Sequence, residues 1–228
     1  MTADPFDIGT WGDTTAARLA LRAAAPLVER LLDLRELRRL YADARSRQDT
    51  TFVHAALDAL RVSAACPAPD LAQVPAAGPA VVVANHPHGA LDGLVLASVI
   101  GHVRQDVRLL ANRALAHIPE LHDLCFFVDP FDGPAAAARS RAGLRAAHLW
   151  LRQGHVLVAF PAGEVAHRLG SRTTPYEAAW HDTAIALAAR TGASVVPAFI
   201  EGRNSRRFYA LGRLHPLVRT VLLPAELT

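Results

Sequence analysis

The run Asn85-His86-Pro87-His88-Gly89-Ala90-Leu91-Asp92-Gly93 puts two imidazoles and a carboxylate within seven residues. Imidazole titrates near neutral pH, and a carboxylate on one ring nitrogen fixes the tautomer and stabilises the imidazolium, so this set can serve as a general base. A second reading makes His86 and His88 the start of a metal site, which needs further ligands and their supporting hydrogen bonds. His122-Asp123 and His181-Asp182 are the available histidine–carboxylate pairs, and each reads as incidental to a helix or its approach. A third reading is structural, with Asp92 as a helix cap. Two histidines and an aspartate clustered directly after an apolar run favour chemistry over structure.

Two later segments have the same character. Phe160-Pro161-Ala162-Gly163-Glu164 leads to Arg168 and Arg172. Small residues there let a substrate approach the backbone, and arginine holds anions well. The spaced glycines and lysine of a phosphate-binding loop are missing. Glu201-Gly202-Arg203-Asn204-Ser205-Arg206-Arg207 carries three arginines in five residues and reads, taken alone, as a solvated basic turn.

The elements that must position these loops alternate. AVVVA (80–84), 107–111, CFFV (125–128), VLVAF (156–160) and SVVPAFI (194–200) read as strands. Helices are expected over 51–60, 92–103, 135–153 and 176–191, the last closed by Gly192, with 66–79 as a connecting loop. This pattern predicts a single α/β domain with a mixed, mostly parallel sheet flanked by helices. In such sheets ligands meet the loops past the carboxyl ends of strands, and the three segments above are those loops. Ahead of them, 16–47 repeats leucines at helical spacing among many arginines, with Pro26 expected to divide it into two amphipathic helices. Residues 1–60 are accordingly expected to be a helical membrane-docking segment, and 61–228 the α/β domain.

Composition sets the outer limits. Hydrophobic residues make up 51% and charged residues 20% of 228, which excludes a disordered chain. The sequence has no lysine, so all 24 basic residues are arginine. Cys66 and Cys125 cannot build a disulfide framework, no signal peptide is visible, and no apolar run reaches the ~18–20 residues of a membrane span. The expected setting is cytoplasmic, peripheral on the inner face of the cell membrane.

Taken together, NHPHGALDG, FPAGE and VVPAFIEGRNSRRFY resemble the glycerolipid (lysophospholipid) acyltransferase family, and more closely its hemolysin-like branch of ornithine-lipid and glycine-lipid acyltransferases. The first segment is an HPxGxxDG motif. The resemblance implies a catalytic His86 with Asp92 as its partner; five residues separate them, as in that branch, where the wider family has four. It implies substrate binding by Asn85, Gly89, Pro161, Gly163, Glu164 and Arg168. The acceptor-binding block is usually FPEG, and here Ala162 stands at the Glu position with Glu164 after the Gly. His88 falls on a variable position. The end at Thr228 reads as that of a fragment or of a shortened member, since relatives usually continue with at least one more strand.

The function so implied is transfer of a fatty acyl group from acyl-CoA or acyl carrier protein to a lyso-lipid hydroxyl at a membrane surface. No metal, cofactor or nucleic acid is expected. Two rivals stand beside it: a metal-dependent hydrolase using His86 and His88, and a non-catalytic lipid-binding protein of the membrane surface.

Overall fold

The computed structural model describes residues 4–7, 32–129, 133–168, 174–212 and 222–227, with positions 15, 22, 25–26 and 29–30. Five strands carry the fold: β1 (Ala80–Ala84), β2 (Val107–Asn112), β3 (Cys125–Val128), β4 (Val156–Ala159) and β5 (Ser194–Ala198). They lie in the order β3-β2-β4-β1-β5, and every pairing is parallel. The domain is α/β as expected, and the sheet is parallel throughout among the described residues. Each strand is reached by a crossover that returns the chain to the same end of the sheet, which makes neighbours parallel.

The helices are α1 (Leu34–Ser46), α2 (Phe52–Ala59), α3 (Ala68–Leu71), α4 (Ala90–Gly101), α5 (Pro134–Arg152), α6 (Thr183–Thr191) and α7 (Arg206–Leu211). Alternate strand side chains go to opposite faces, and both faces are covered. Val82, Val156, Val158 and Val196 pack with Leu96 and Ile100 of α4. Val81, Val83, Leu157 and Ala159 pack with Leu151 of α5 and Ala184 and Leu187 of α6. β1 is buried along its whole length, which explains its unbroken apolar sequence.

This layering fixes where a site can form. The chain leaves β1 through α4 on one face and leaves β4 through α6 on the other. β1 and β4 are neighbours. Their connections therefore leave on opposite faces, and sheets of this kind take ligands beyond the carboxyl ends of their strands.

Two helix expectations need correction. The helix expected from residue 176 starts at Thr183. Residues before it are held by tertiary bonds instead: Tyr176 bridges His167, and the His181 N–H donates to the Pro161 carbonyl at 2.9 Å. Those contacts override the helical preference of Ala178 and Ala179. The segment 66–79, expected as loop, contains the single turn α3.

The helical pattern from residue 16 to 31, with its expected break at Pro26, lies mostly outside the described residues. Beyond it, Leu32, Leu34 and Leu37 are buried against Val165, Phe208, Tyr209 and Leu222. Arg38 pairs with Asp4 and Glu29, Arg39 with Glu36, Arg45 with Glu120, and Arg47 with Asp43. Among the described residues, no helix is long and apolar enough to cross a membrane.

The amino ends of the strands are tied by a buried arginine. Arg104 donates to both carboxylate oxygens of Asp106 and to the carbonyls of Pro75, Gly78 and Gly154. The Arg104 guanidinium, with help from His155, holds the Asp106 carboxyl down at about 2 against an ordinary 3.8, despite burial pushing the other way. A depressed folded value means this stabilisation is complete above about pH 4 and is lost as pH falls toward 2. Denaturant unfolding of Asp106→Asn should therefore show a deficit near neutral pH that shrinks over that interval; a deficit independent of pH would contradict the account.

Candidate active site

The loop after β1 folds around one carboxylate. Helix α4 begins at Ala90, so Asp92 sits in its first turn, third in the helix rather than at its cap. From there Asp92 Oδ2 accepts the N–H groups of His88 (2.8 Å) and Gly89 (3.0 Å). The same oxygen lies 2.9 Å from His86 Nδ1. That approach is close enough for an ion pair but oblique to the ring N–H, and Oδ1 has no partner. Hydrogen bonds of this type often tighten only when substrate is present. Asp92 is fully buried, and a buried carboxylate requires such partners. It therefore does both things its position suggested: it stabilises the start of the helix and it faces the histidine.

The neighbouring residues explain the backbone path. Gly89 holds φ at 83°, and a Cβ there would come within 2.9 Å of Leu223, so its role is conformational. Asn85 also proves architectural. Its Nδ2 donates to the Ile200 carbonyl at 2.8 Å and its Oδ1 accepts the Ile200 N–H at 2.7 Å. A side-chain amide thus continues the β1–β5 ladder one step past the strands.

The loop after β4 supplies the other wall. Phe160 stacks on the His86 ring at 4.1 Å between centroids, 22° from parallel. Pro161 and Ala162 are buried, and Gly163 turns the chain at φ 71° with His181 packed against it. The Ala166 N–H then donates to the His86 carbonyl at 2.9 Å. Glu164 faces His167 at 3.9 Å, and Arg168 lies over the Tyr209 ring at 4.9 Å with its Nε buried and unpartnered. The stretch that carries Pro161 and Gly163 is thus held to His86 at Phe160 and Ala166, with Glu164 against His167 and Arg168 over Tyr209. Arg172 lies outside the described residues.

His88 does not share a centre with His86. Its Nε2 lies 3.3 Å from the Glu201 carbonyl, and its ring fills the space above Gly202. Among the described residues, no three His, Cys, Asp or Glu side chains converge as a metal would need. His122 reaches the Ala116 carbonyl, and Asp182 precedes α6.

Two neighbours of His86 were not singled out from the sequence. Phe160 was legible as part of FPAGE, but its stacking was not. Glu177 carried no local signal: its Oε1 accepts the His86 backbone N–H at 3.0 Å across 91 positions of chain. Burial pushes its carboxyl above the ordinary range, against the opposing effects of the His86 N–H and the Trp180 indole.

A profile of the acyltransferase family matches residues 25–221. The chain belongs to this family. It is 28% identical over 180 residues to a lyso-glycine lipid O-acyltransferase of Phocaeicola vulgatus, covering 78% of this chain and 61% of that one. It is 30% identical over 142 residues to a lyso-glycine lipid O-acyltransferase of Bacteroides thetaiotaomicron, covering 62% of this chain and 50% of the other. The chain thus spans about half to three-fifths of the length of these relatives. The resemblance read from the three loops agrees with the family and with the glycine-lipid branch.

Asp92→Asn tests the dyad. The amide keeps an oxygen for the His88 and Gly89 N–H groups but loses the charge facing His86. Acyl transfer should fall ~10²–10⁴-fold, the usual worth of acid–base assistance, with far-ultraviolet circular dichroism unchanged. Early melting with normal activity per folded molecule would reduce Asp92 to a helix-terminus residue.

Proposed function

We propose that this acyltransferase-family chain moves a fatty acyl group from an acyl thioester to a hydroxyl of a lyso-lipid. The observation that carries the reading is His86 paired with a fully buried Asp92 just past the carboxyl end of β1. The relatives' names support a lyso-glycine lipid as the acceptor, and the donor in this reading is acyl-CoA or acyl carrier protein.

Nδ1 of His86 faces Asp92, so Nε2 is the nitrogen left for substrate. It takes the acceptor's hydroxyl proton as that oxygen attacks the thioester carbonyl carbon. The tetrahedral intermediate collapses, the carbon–sulfur bond breaks, and the imidazolium returns the proton to the departing thiolate. The products are an ester and a free thiol. Asp92 stabilises the imidazolium in between, and Phe160 fixes the ring plane by stacking. No acyl-enzyme is needed, because the acceptor supplies the nucleophile; holding both substrates in place contributes the larger share of the acceleration.

Peripheral docking on a bilayer belongs to the same reading. Leu34 and Leu37 lie in the core, and Arg38, Arg39 and Arg45 of α1 already face carboxylates, so the described part of the amino-terminal segment offers little apolar surface. Exposed aromatics occur instead beside residues that hold the His86 loop. Phe199, 79% exposed, adjoins Ile200, and exposed Trp180 bonds Glu177.

The test is incubation of the purified 228-residue chain with a lyso-glycine lipid and acyl-CoA or acyl carrier protein thioester, read by mass spectrometry. The diacylated product is expected from the parent, with His86→Ala losing nearly all turnover and His88→Ala keeping most of it. Equal loss at both positions, with stoichiometric bound zinc, would instead favour the hydrolase. Undiminished turnover by His86→Ala would remove the dyad from the mechanism.

A further inference from the structure

Both backbone groups of His86 and one of its ring nitrogens meet protein groups. The ring faces Asp92, the carbonyl accepts from Ala166, and the backbone N–H is taken by Glu177. The last two contacts come from one stretch of chain, the connection from β4 to α6. That connection is itself braced, by the paired backbone bonds between His167 and Tyr176 and by the bond from His181 to Pro161. A half-buried carboxylate with a histidine N–H on one side and an indole on the other is a specific placement, and nothing in the loop motifs accounts for it.

We propose that Glu177 is the second carboxylate of this site, a positioning residue that fixes the His86 peptide opposite Asp92 and adds negative charge beside the imidazole. The assignment rests on the functional reading above and extends it to a residue outside the three sequence motifs. Asp92 holds the ring and Glu177 holds the main chain, so the two together leave His86 little freedom except at Nε2. The rise of the Glu177 carboxyl above its ordinary range has the same cause as its usefulness, a poorly solvated position next to His86 and within reach of Asp92.

The charged and titratable groups around the pair come from four directions. Asp92 comes from α4, and His88 from the β1 loop, bonded to the Glu201 carbonyl. Glu164, His167 and His181 lie on the connection itself. Glu201 and Arg203 lie on the loop after β5. Of these, Asp92 acts on the Glu177 carboxyl, together with His86 itself.

Two substitutions separate the roles. Glu177→Gln keeps a carbonyl oxygen for the His86 N–H and removes the charge; Glu177→Ala removes both. The alanine variant should lose roughly tenfold to a hundredfold in kcat, as expected for a hydrogen bond to a charged group. The glutamine variant should lose less, with KM near the parent value and the acid limb of kcat/KM moved to lower pH. A second readout needs no turnover: the His86 ring resonances, followed by NMR, should titrate at lower pH in Glu177→Gln than in the parent. Superimposable ring titrations and equal kcat in parent and Glu177→Gln would overturn the proposal and leave Glu177 a loop brace. If the parent acylates no lipid, the functional reading fails on its own, and the ring titration still decides whether Glu177 acts on His86.

Discussion

One buried carboxylate organises the site. Asp92 Oδ2 gathers two backbone N–H groups and an imidazole around itself. A carboxylate with no access to water is costly unless it is so surrounded. The loop after β1 therefore has one low-energy path, the one that wraps Asp92, and the histidine's place follows from that path. Here a requirement of folding and a requirement of the proposed chemistry are met by the same atoms. The chain need not hold a reactive group in place by strain.

The parallel sheet does the coarse positioning. The crossovers from β1 and β4 lie on opposite faces, so their carboxyl ends are free of covering helices at the same place. The loops that meet at that end of the sheet are those after β1 and β4, with the loop after β5 on the next strand. The Asn85–Ile200 clamp joins the first to the third, and the Ala166–His86 bond joins the first to the second. Rigidity at the histidine is thus assembled from weak bonds contributed by all three.

Much of this was legible in the residues. β1 and β3 have the bounds their apolar runs suggest, and β2, β4 and β5 differ only at their ends; for β1 and β4, buried along their whole length, a short continuous apolar run has few other options. His86 and Asp92 were legible because a short loop after a buried strand forces its members together. Glu177 was not, because its partner is 91 positions away and its neighbours, Tyr176 to Ala179, look like the start of a helix. That segment shows the general limit: local preference is a fraction of a kcal/mol per residue, and a few hydrogen bonds to the core outweigh it. Asn85 was legible only in part, since the sequence places it next to His86 but cannot reveal that both ends of its amide meet Ile200.

The clamp has a consequence for the chemical ageing of the protein. Asparagine deamidates when the next residue's backbone nitrogen attacks its side-chain carbonyl carbon, and such residues are among the thermolabile ones. At Asn85 that nitrogen belongs to His86 and is held by Glu177, while the amide is pinned at both ends to Ile200. Neither reactant is free to move toward the other. Were the change to occur, the new carboxylate would set an oxygen against the Ile200 carbonyl and turn one arm of the clamp repulsive. The native fold thus shelters the very dipeptide whose slow conversion would unfasten β1 from β5 beside the dyad.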